Sequence, residues 1–200
     1  FYVPTFCITS YERNALCDCI MATLNWKYKI IPKLLNATEV KLAHEYCIER
    51  HINNSSDFDE LQNNCADTFS YKDPLMQVFL KDKKKILEKN TNLQLHEGYT
   101  YWRCYTYGSE LKKHKDRRSC EISVTLFIGS DGKHEWPIYM GGKKINLKPG
   151  DGVIYQGCEV EHWREPYEGD YHAQVFLHYV DANGKYADHK GDAINENFAK

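Results

Sequence analysis

Nowhere in the chain do two cysteines stand in a C-x-x-C pair. The eight cysteines are Cys7, Cys17, Cys19, Cys47, Cys65, Cys104, Cys120 and Cys158, and their spacing argues against a structural zinc site. No apolar run approaches the ~20 residues that a membrane helix requires, so no membrane association is expected. Charge of one sign is also scarce. A formal net charge of −2 gives no global basic field, so a nucleic acid partner is not expected from composition. The opening "FYVPTFCITSYERN" lacks the charged-then-apolar order of a secretory leader. Several cysteines lie inside apolar patterns, where free thiols are common core fillers. Reduced cysteines and a cytoplasmic setting are the expectation.

What is present is an ordinary globular composition, 42% hydrophobic and 27% charged over 200 residues, which is enough for one well-buried core. No repeat or low-complexity linker divides it, so residues 1–200 are read as a single domain. Residues 1–92 read as mainly helical support. "TSYERNALCDCIMATLNW" follows a candidate cap at Ser10, "ATEVKLAHEYCIERHI" sets Val40, Ala43 and Cys47 on one face behind Thr38, and "KDPLMQVFLKDKKKILEKN" places Pro74 in a first turn with Leu75, Val78 and Phe79 on one stripe.

From residue 93 to 182 the texture changes to short runs rich in Val, Ile, Thr, Tyr and Phe, among them "YTYWRCYTY", "CEISVTLFIG", "WPIYM", "KKINL", "GVIYQG" and "HAQVFLHYV", separated by turn signals such as "MGGKK" and "LKPGDG". About seven short strands of this kind suit a two-sheet jelly roll. The fold class expected is α+β, mostly β, with N-terminal helices packed on one sheet and residues 183–200 as a tail.

Within the β-rich half, "LKKHKDRRSC" puts His114 and Asp116 two positions apart. Residues i and i+2 of a strand point to one face, so this pair delivers an imidazole and a carboxylate to one point. His162 in "GCEVEHWREP" is the best third partner, giving H-x-D-x45-H. Two imidazoles and a carboxylate on one face form the facial triad of non-haem Fe(II) oxygenases, with three coordination positions left open. His134, His172 and His178 compete on spacing alone, and "KKHKDRR" also reads as a solvated loop.

A larger pattern favours the triad. "CYTYGSELKKHKD", "SVTLFIGSD", "LKPGDGVIYQGCEVEHWREP" and "HAQVFLHYVD", taken in order across residues 99 to 181, resemble the double-stranded β-helix core of the Fe(II)/2-oxoglutarate-dependent dioxygenases, in particular the prolyl 4-hydroxylase-like branch. That resemblance implies Fe(II), 2-oxoglutarate and O2 as cofactors, with ascorbate in support, and a reaction that couples formation of succinate and CO2 to hydroxylation of a C–H bond. It implies iron binding by His114, Asp116 and His162, and a place for Tyr105 in the 2-oxoglutarate pocket. It also implies a prolyl residue of a peptide or protein as substrate.

The chain departs from the pattern at one point. The prolyl hydroxylase branch carries Arg or Lys nine or ten residues after the distal histidine, to pair with the far carboxylate of 2-oxoglutarate. Here His172 stands at that place. A neutral imidazole lacks the charge and planar fork of guanidinium. Arg164, two residues after His162, shares its face if the backbone is extended, and it is expected to carry the cosubstrate carboxylate with His172 assisting; the alternative is a surface arginine paired with Glu161 or Glu165. Two other functions stay open: a non-catalytic cupin-like metal or ligand-binding module, and a nucleic acid binder using the basic rim around Arg117 and Arg118. A hydroxylase of another small molecule or nucleobase is a further alternative, since a shared scaffold does not fix substrate. Oligomeric state is not legible.

Overall fold

The computed structural model describes residues 26–53 and 67–191. The helix expected after Ser10 and the loop "NNSSDFDELQNNC" from Asn54 onward lie outside the described residues, as does the end of the tail from residue 192.

Among the described residues two α-helices and ten strands follow one another. They are β1 (Tyr28–Ile31), α1 (Ala37–Asn53), β2 (Thr68–Tyr71), α2 (Pro74–Thr91), β3 (Leu95–Thr106), β4 (Leu111–His114), β5 (Ile122–Ser130), β6 (Ile138–Met140), β7 (Lys143–Ile145), β8 (Gly152–Gln156), β9 (His162–Arg164) and β10 (Tyr171–Asp181). The strands form a six-stranded antiparallel sheet, β1-β8-β5-β10-β3-β2, and a four-stranded one, β4-β9-β6-β7. This is the mostly β, two-sheet arrangement with helices on one sheet that the sequence led us to expect. It differs in one respect: the part read as helical contributes two strands, β1 and β2, both on edges of the larger sheet.

Alternation along the larger sheet explains how one sheet serves both a core and a site. Trp102 and Cys104 of β3, Ile122, Val124, Leu126 and Ile128 of β5, Ile154 of β8 and Val175, Leu177 and Tyr179 of β10 are buried in one cluster with Ala43 and Cys47 of α1 and Met76, Phe79, Leu80 and Leu87 of α2. Each such aliphatic or aromatic side chain contributes ~1.5–3 kcal/mol on burial. The residues between them face the smaller sheet and include Tyr105, Ser123, Thr125, Tyr155, His172, Gln174 and His178, all buried. A sheet buried on both faces ordinarily reads as continuous apolar sequence. Here the second face is polar.

The helices are fixed by their ends. Asn36, not Thr38, caps α1: its Oδ1 accepts from the amides of Thr38 and Glu39 at 2.9 and 3.0 Å, and Glu39 accepts the Asn36 amide in return at 2.8 Å. Asp73 caps α2 by accepting from the amides of Leu75 and Met76, with Pro74 beginning the helix. Its other oxygen accepts from the Tyr46 hydroxyl at 2.7 Å and from Arg50 at 3.2 Å, which ties the two helices together. Val78, placed by the sequence on the apolar stripe of α2, is 57% exposed, and Met76 and Leu80 occupy the inward positions instead. No helix among the described residues is long and apolar enough to cross a membrane.

Candidate metal centre and anion pocket

Strands β4 and β9 pair so that His114 lies directly opposite His162. Their rings stand 4.3 Å apart between centroids, and each Nε2 is 3.5 Å from Asp116 Oδ1. The donor atoms of the three side chains all lie within 4.8 Å of one another. Backbone carbonyls fix the tautomers. His114 Nδ1 donates to Lys112 O at 2.7 Å and His162 Nδ1 donates to Val160 O at 2.9 Å, which turns both Nε2 atoms toward the carboxylate, to donate to it when protonated and to offer a lone pair to a metal ion when not.

Asp116 is held from behind. Its amide donates to Gly157 O, and its Oδ2 accepts from the Ser123 hydroxyl at 2.8 Å. Ser123 Oγ is 2.9 Å from His178 Nδ1, so the serine accepts from His178 while it donates to the carboxylate. Burial alone would push the Asp116 carboxyl up, but hydrogen bonds from His114 and His162 and the attraction of His162 and His178 outweigh it and hold the group far below the usual carboxylate range. Burial likewise would lower His114, and its bonds to Asp116 and the Lys112 carbonyl reverse the direction. His178 is different: burial, with Arg117 and His162 nearby, takes it down to about 4, so it is neutral near pH 7.

His178 itself sits where the register of β10 against β3 shifts, between Leu177 and Tyr179. Such irregularities re-aim side chains near functional sites. Across from it, Gly98 has no side chain because a Cβ there would lie 2.8 Å from the His178 carbonyl oxygen. Gly157 is constrained for a similar reason, since a Cβ there would overlap Cys120 O and Asp116 Oδ2 and approach Ser123 Oγ at 2.9 Å. Ser123 and Gly157 are not legible as site residues in the sequence, and His178, which competes with His162 on spacing, stands behind the carboxylate through Ser123. The one available signal was strand parity, which His178 shares with His172.

Farther along the same interior, Arg164 is buried at 3% exposure rather than on the surface. Glu161 pairs with Lys113 and Glu165 accepts from Trp163, and among the described residues no carboxylate pairs with Arg164. Its guanidinium donates to Trp136 O and, at 2.8 Å, to Gln174 Oε1, while Nε has no partner. The group lies 4.6 Å from the Trp136 ring centroid. Burial draws its pKa down to about 10, which still leaves it a cation at neutral pH.

His172 lies opposite Tyr105 in the β10–β3 ladder and stacks flat on Phe127, centroids 4.4 Å apart at 2°. Neither of its nitrogens makes a well-formed hydrogen bond. Burial and the adjacent Arg164 push it well below its ordinary pKa, so it contributes no charge. Tyr105 is fully buried, edge-on to Trp136 at 4.8 Å. Trp163 alternates outward, as its parity requires, and stacks on Tyr139.

No protein-family model matches the sequence, and no curated protein matches it in sequence. Solved structures do match in fold. A prolyl-4-hydroxylase from Pseudomonas putida superposes with TM-score 0.62 at 17% identity, over 78% of this chain and 94% of that one. A prolyl hydroxylase from Trichoplax adhaerens, in complex with a hypoxia inducible factor peptide fragment, gives 0.64 at 13% identity over 95% and 98%. The non-haem α-ketoglutarate dependent epimerase SnoN from nogalamycin biosynthesis gives 0.67 at 10% identity over 84% of each chain. The chain therefore has the jelly-roll fold of the Fe(II)/2-oxoglutarate oxygenases, prolyl hydroxylases among them.

Proposed function

We propose that this protein is an Fe(II)- and 2-oxoglutarate-dependent dioxygenase that hydroxylates an unactivated C–H bond, in a prolyl residue of a peptide or protein. The observation that carries the reading is the convergence of His114, Asp116 and His162 within 4.8 Å, with both histidine Nε2 atoms freed by Nδ1–carbonyl hydrogen bonds. Two neutral imidazoles and one carboxylate fit a ferrous ion and leave three positions for cosubstrate and O2. The unsatisfied Arg164 Nε and the missing carboxylate partner of that arginine fit the far carboxylate of a bound diacid. When bound, the iron and 2-oxoglutarate supply the oxidising chemistry, with succinate and CO2 as co-products.

The chain's own contribution is positional. His114 and His162 hold their lone pairs on one point, and Ser123 turns the second Asp116 oxygen away from it. Arg164 supplies a permanent charge inside a space closed by Tyr105, Trp136 and Tyr167, where the low dielectric strengthens its grip on an anion. Tyr99 stands beside His178, centroids 4.5 Å apart, and His178 reaches the triad through Ser123, so the aromatic edge of the site lies on this side. A prolyl substrate is supported by the prolyl hydroxylases among the structures of the same fold, one of which holds a peptide fragment.

The test is succinate formation by the protein supplied with Fe(II), 2-oxoglutarate, ascorbate and O2, followed by mass spectrometry of a proline-containing peptide panel for gain of one oxygen atom. Succinate from the wild type and none from Asp116→Ala supports the reading. Equal succinate from both contradicts it.

A further inference from the structure

A cavity lies beyond Arg164, on the side of the interior that Ser130 and His172 face. Along β5, Ser123 reaches Asp116, whereas Phe127 and Ser130 line a cavity of about 300 Å³. Seven residues of strand at ~3.3 Å each separate Ser123 from Ser130. The same polarity holds along β10, where His178 stands by the triad and His172 lines the cavity. Arg164 and His172 form part of its wall, with no triad residue among the lining. The loop after β5 contributes Lys133 and Trp136, and the segment after β7 contributes Lys148.

We infer that this rear cavity receives the far end of the cosubstrate, so that the protein binds 2-oxo diacids longer than 2-oxoglutarate. The inference rests on the oxygenase reading and extends it to cosubstrate choice. Three features converge. The first is unmet hydrogen-bonding demand at the cavity wall: Arg164 Nε is buried without a partner and neither nitrogen of the buried His172 makes a well-formed hydrogen bond, and burying polar groups in this way is costly unless something binds there.

The second is room. An imidazole stacked flat against Phe127 is shorter than an arginine or lysine side chain at the same place, and it forms part of the wall of the cavity of about 300 Å³ without filling it. One more methylene is small beside that volume. The third is charge. Lys148 lines the cavity along with Arg164 and has no ion-pair partner among the described residues, while Lys133 is engaged by Asp170 at 2.6 Å and His134 stands 4.0 Å from Glu168. The acidic member of the lining, Glu135, accepts a hydrogen bond from Asn146 at 3.0 Å. A carboxylate held at Arg164 thus has a second, solvent-exposed cationic residue on the same cavity wall.

The test is calorimetric titration of the Fe(II)-loaded protein, without O2, with 2-oxoglutarate and with 2-oxoadipate, its homologue one methylene longer. Affinities within about tenfold of each other are expected, because a closed pocket overfilled by one methylene loses more. A larger loss for 2-oxoadipate overturns the inference and leaves the oxygenase reading standing, whereas no heat from either acid overturns both. His172→Arg should raise the ratio of the two dissociation constants about tenfold by filling the cavity wall. Lys148→Glu, at an exposed position, should raise it by roughly twofold to fivefold. Ratios unchanged in both variants count against the cavity as the receiving site.

Discussion

His114 and His162 face each other across the β4–β9 pair, and each ring donates from Nδ1 to the carbonyl of the residue two positions earlier, Lys112 and Val160. A strand residue bonded to its own strand in this way cannot swing its ring without losing the bond. Both Nε2 atoms are therefore set before any metal arrives, and Asp116 Oδ1 lies 3.5 Å from each. The local chain, rather than a bound ion, fixes the geometry. The consequences can be measured.

Ser123→Ala removes the hydrogen bond to Asp116 Oδ2 and the acceptor for His178 Nδ1 together. Outer partners of metal ligands are typically worth 10–100-fold in affinity. Fe(II) affinity, measured by competition with a chelator dye, should fall by about that factor while the circular dichroism spectrum is unchanged. An unaltered affinity would separate Ser123 from the site.

Gly157→Ala places a methyl group against Asp116 Oδ2 and Cys120 O. The expected results are a loss of about 1–3 kcal/mol in denaturant unfolding, as for other overpacked positions, and a larger proportional loss of metal binding. Stability loss with full metal affinity would show that the turn yields without moving Asp116.

Arg164→Leu and His172→Ala distinguish the two candidates for the cosubstrate anchor. Removing a buried cation from a charged pair costs enough to weaken binding by ~100-fold or more. His172→Ala removes no charge, since burial and Arg164 keep that ring neutral, and should weaken binding less than about tenfold. The reverse order of effects would make His172 the anchor.

The pH dependence carries the same distinction with a definite sign. An affinity carried by an imidazolium would fall as pH rises through its pKa, by about tenfold per unit above it. An affinity carried by Arg164 stays level until the group begins to lose its proton near its pKa of about 10. With iron saturating, 2-oxoglutarate affinity should be flat between about pH 6.5 and 8.5. A steady decline across that window would transfer the role to a histidine.

Strand parity makes much of the site legible in the sequence. It sets Arg164 on the face of His162, because β9 is extended and alternates; Asp116 lies beyond the end of β4 and reaches His114 from the following loop, held by its amide to Gly157 O. It does less well where partners create the element. "YKII" and "TFSY" are too short to announce themselves, and they become strands by pairing with Tyr155 to Gly152 and with Cys104 to Tyr101. Asn36 displaces Thr38 as the cap because Glu39 reaches back to its amide, a reciprocal bond rather than a residue preference. Ser123 and His178 come to the site by alternation on two strands where they pair directly, a register the sequence does not print, and Gly157 comes by a tight turn, which has no period to detect.

The central claim is that three side chains on β4, β9 and the loop after β4 hold one ferrous ion with room for a chelating 2-oxo acid. Fe(II) and then 2-oxoglutarate, added without O2, test it directly through the visible metal-to-ligand charge-transfer band. A band that develops in the wild type and is missing in Asp116→Ala is the expected result. No band in the wild type, or an equal band in the variant, would contradict the assignment.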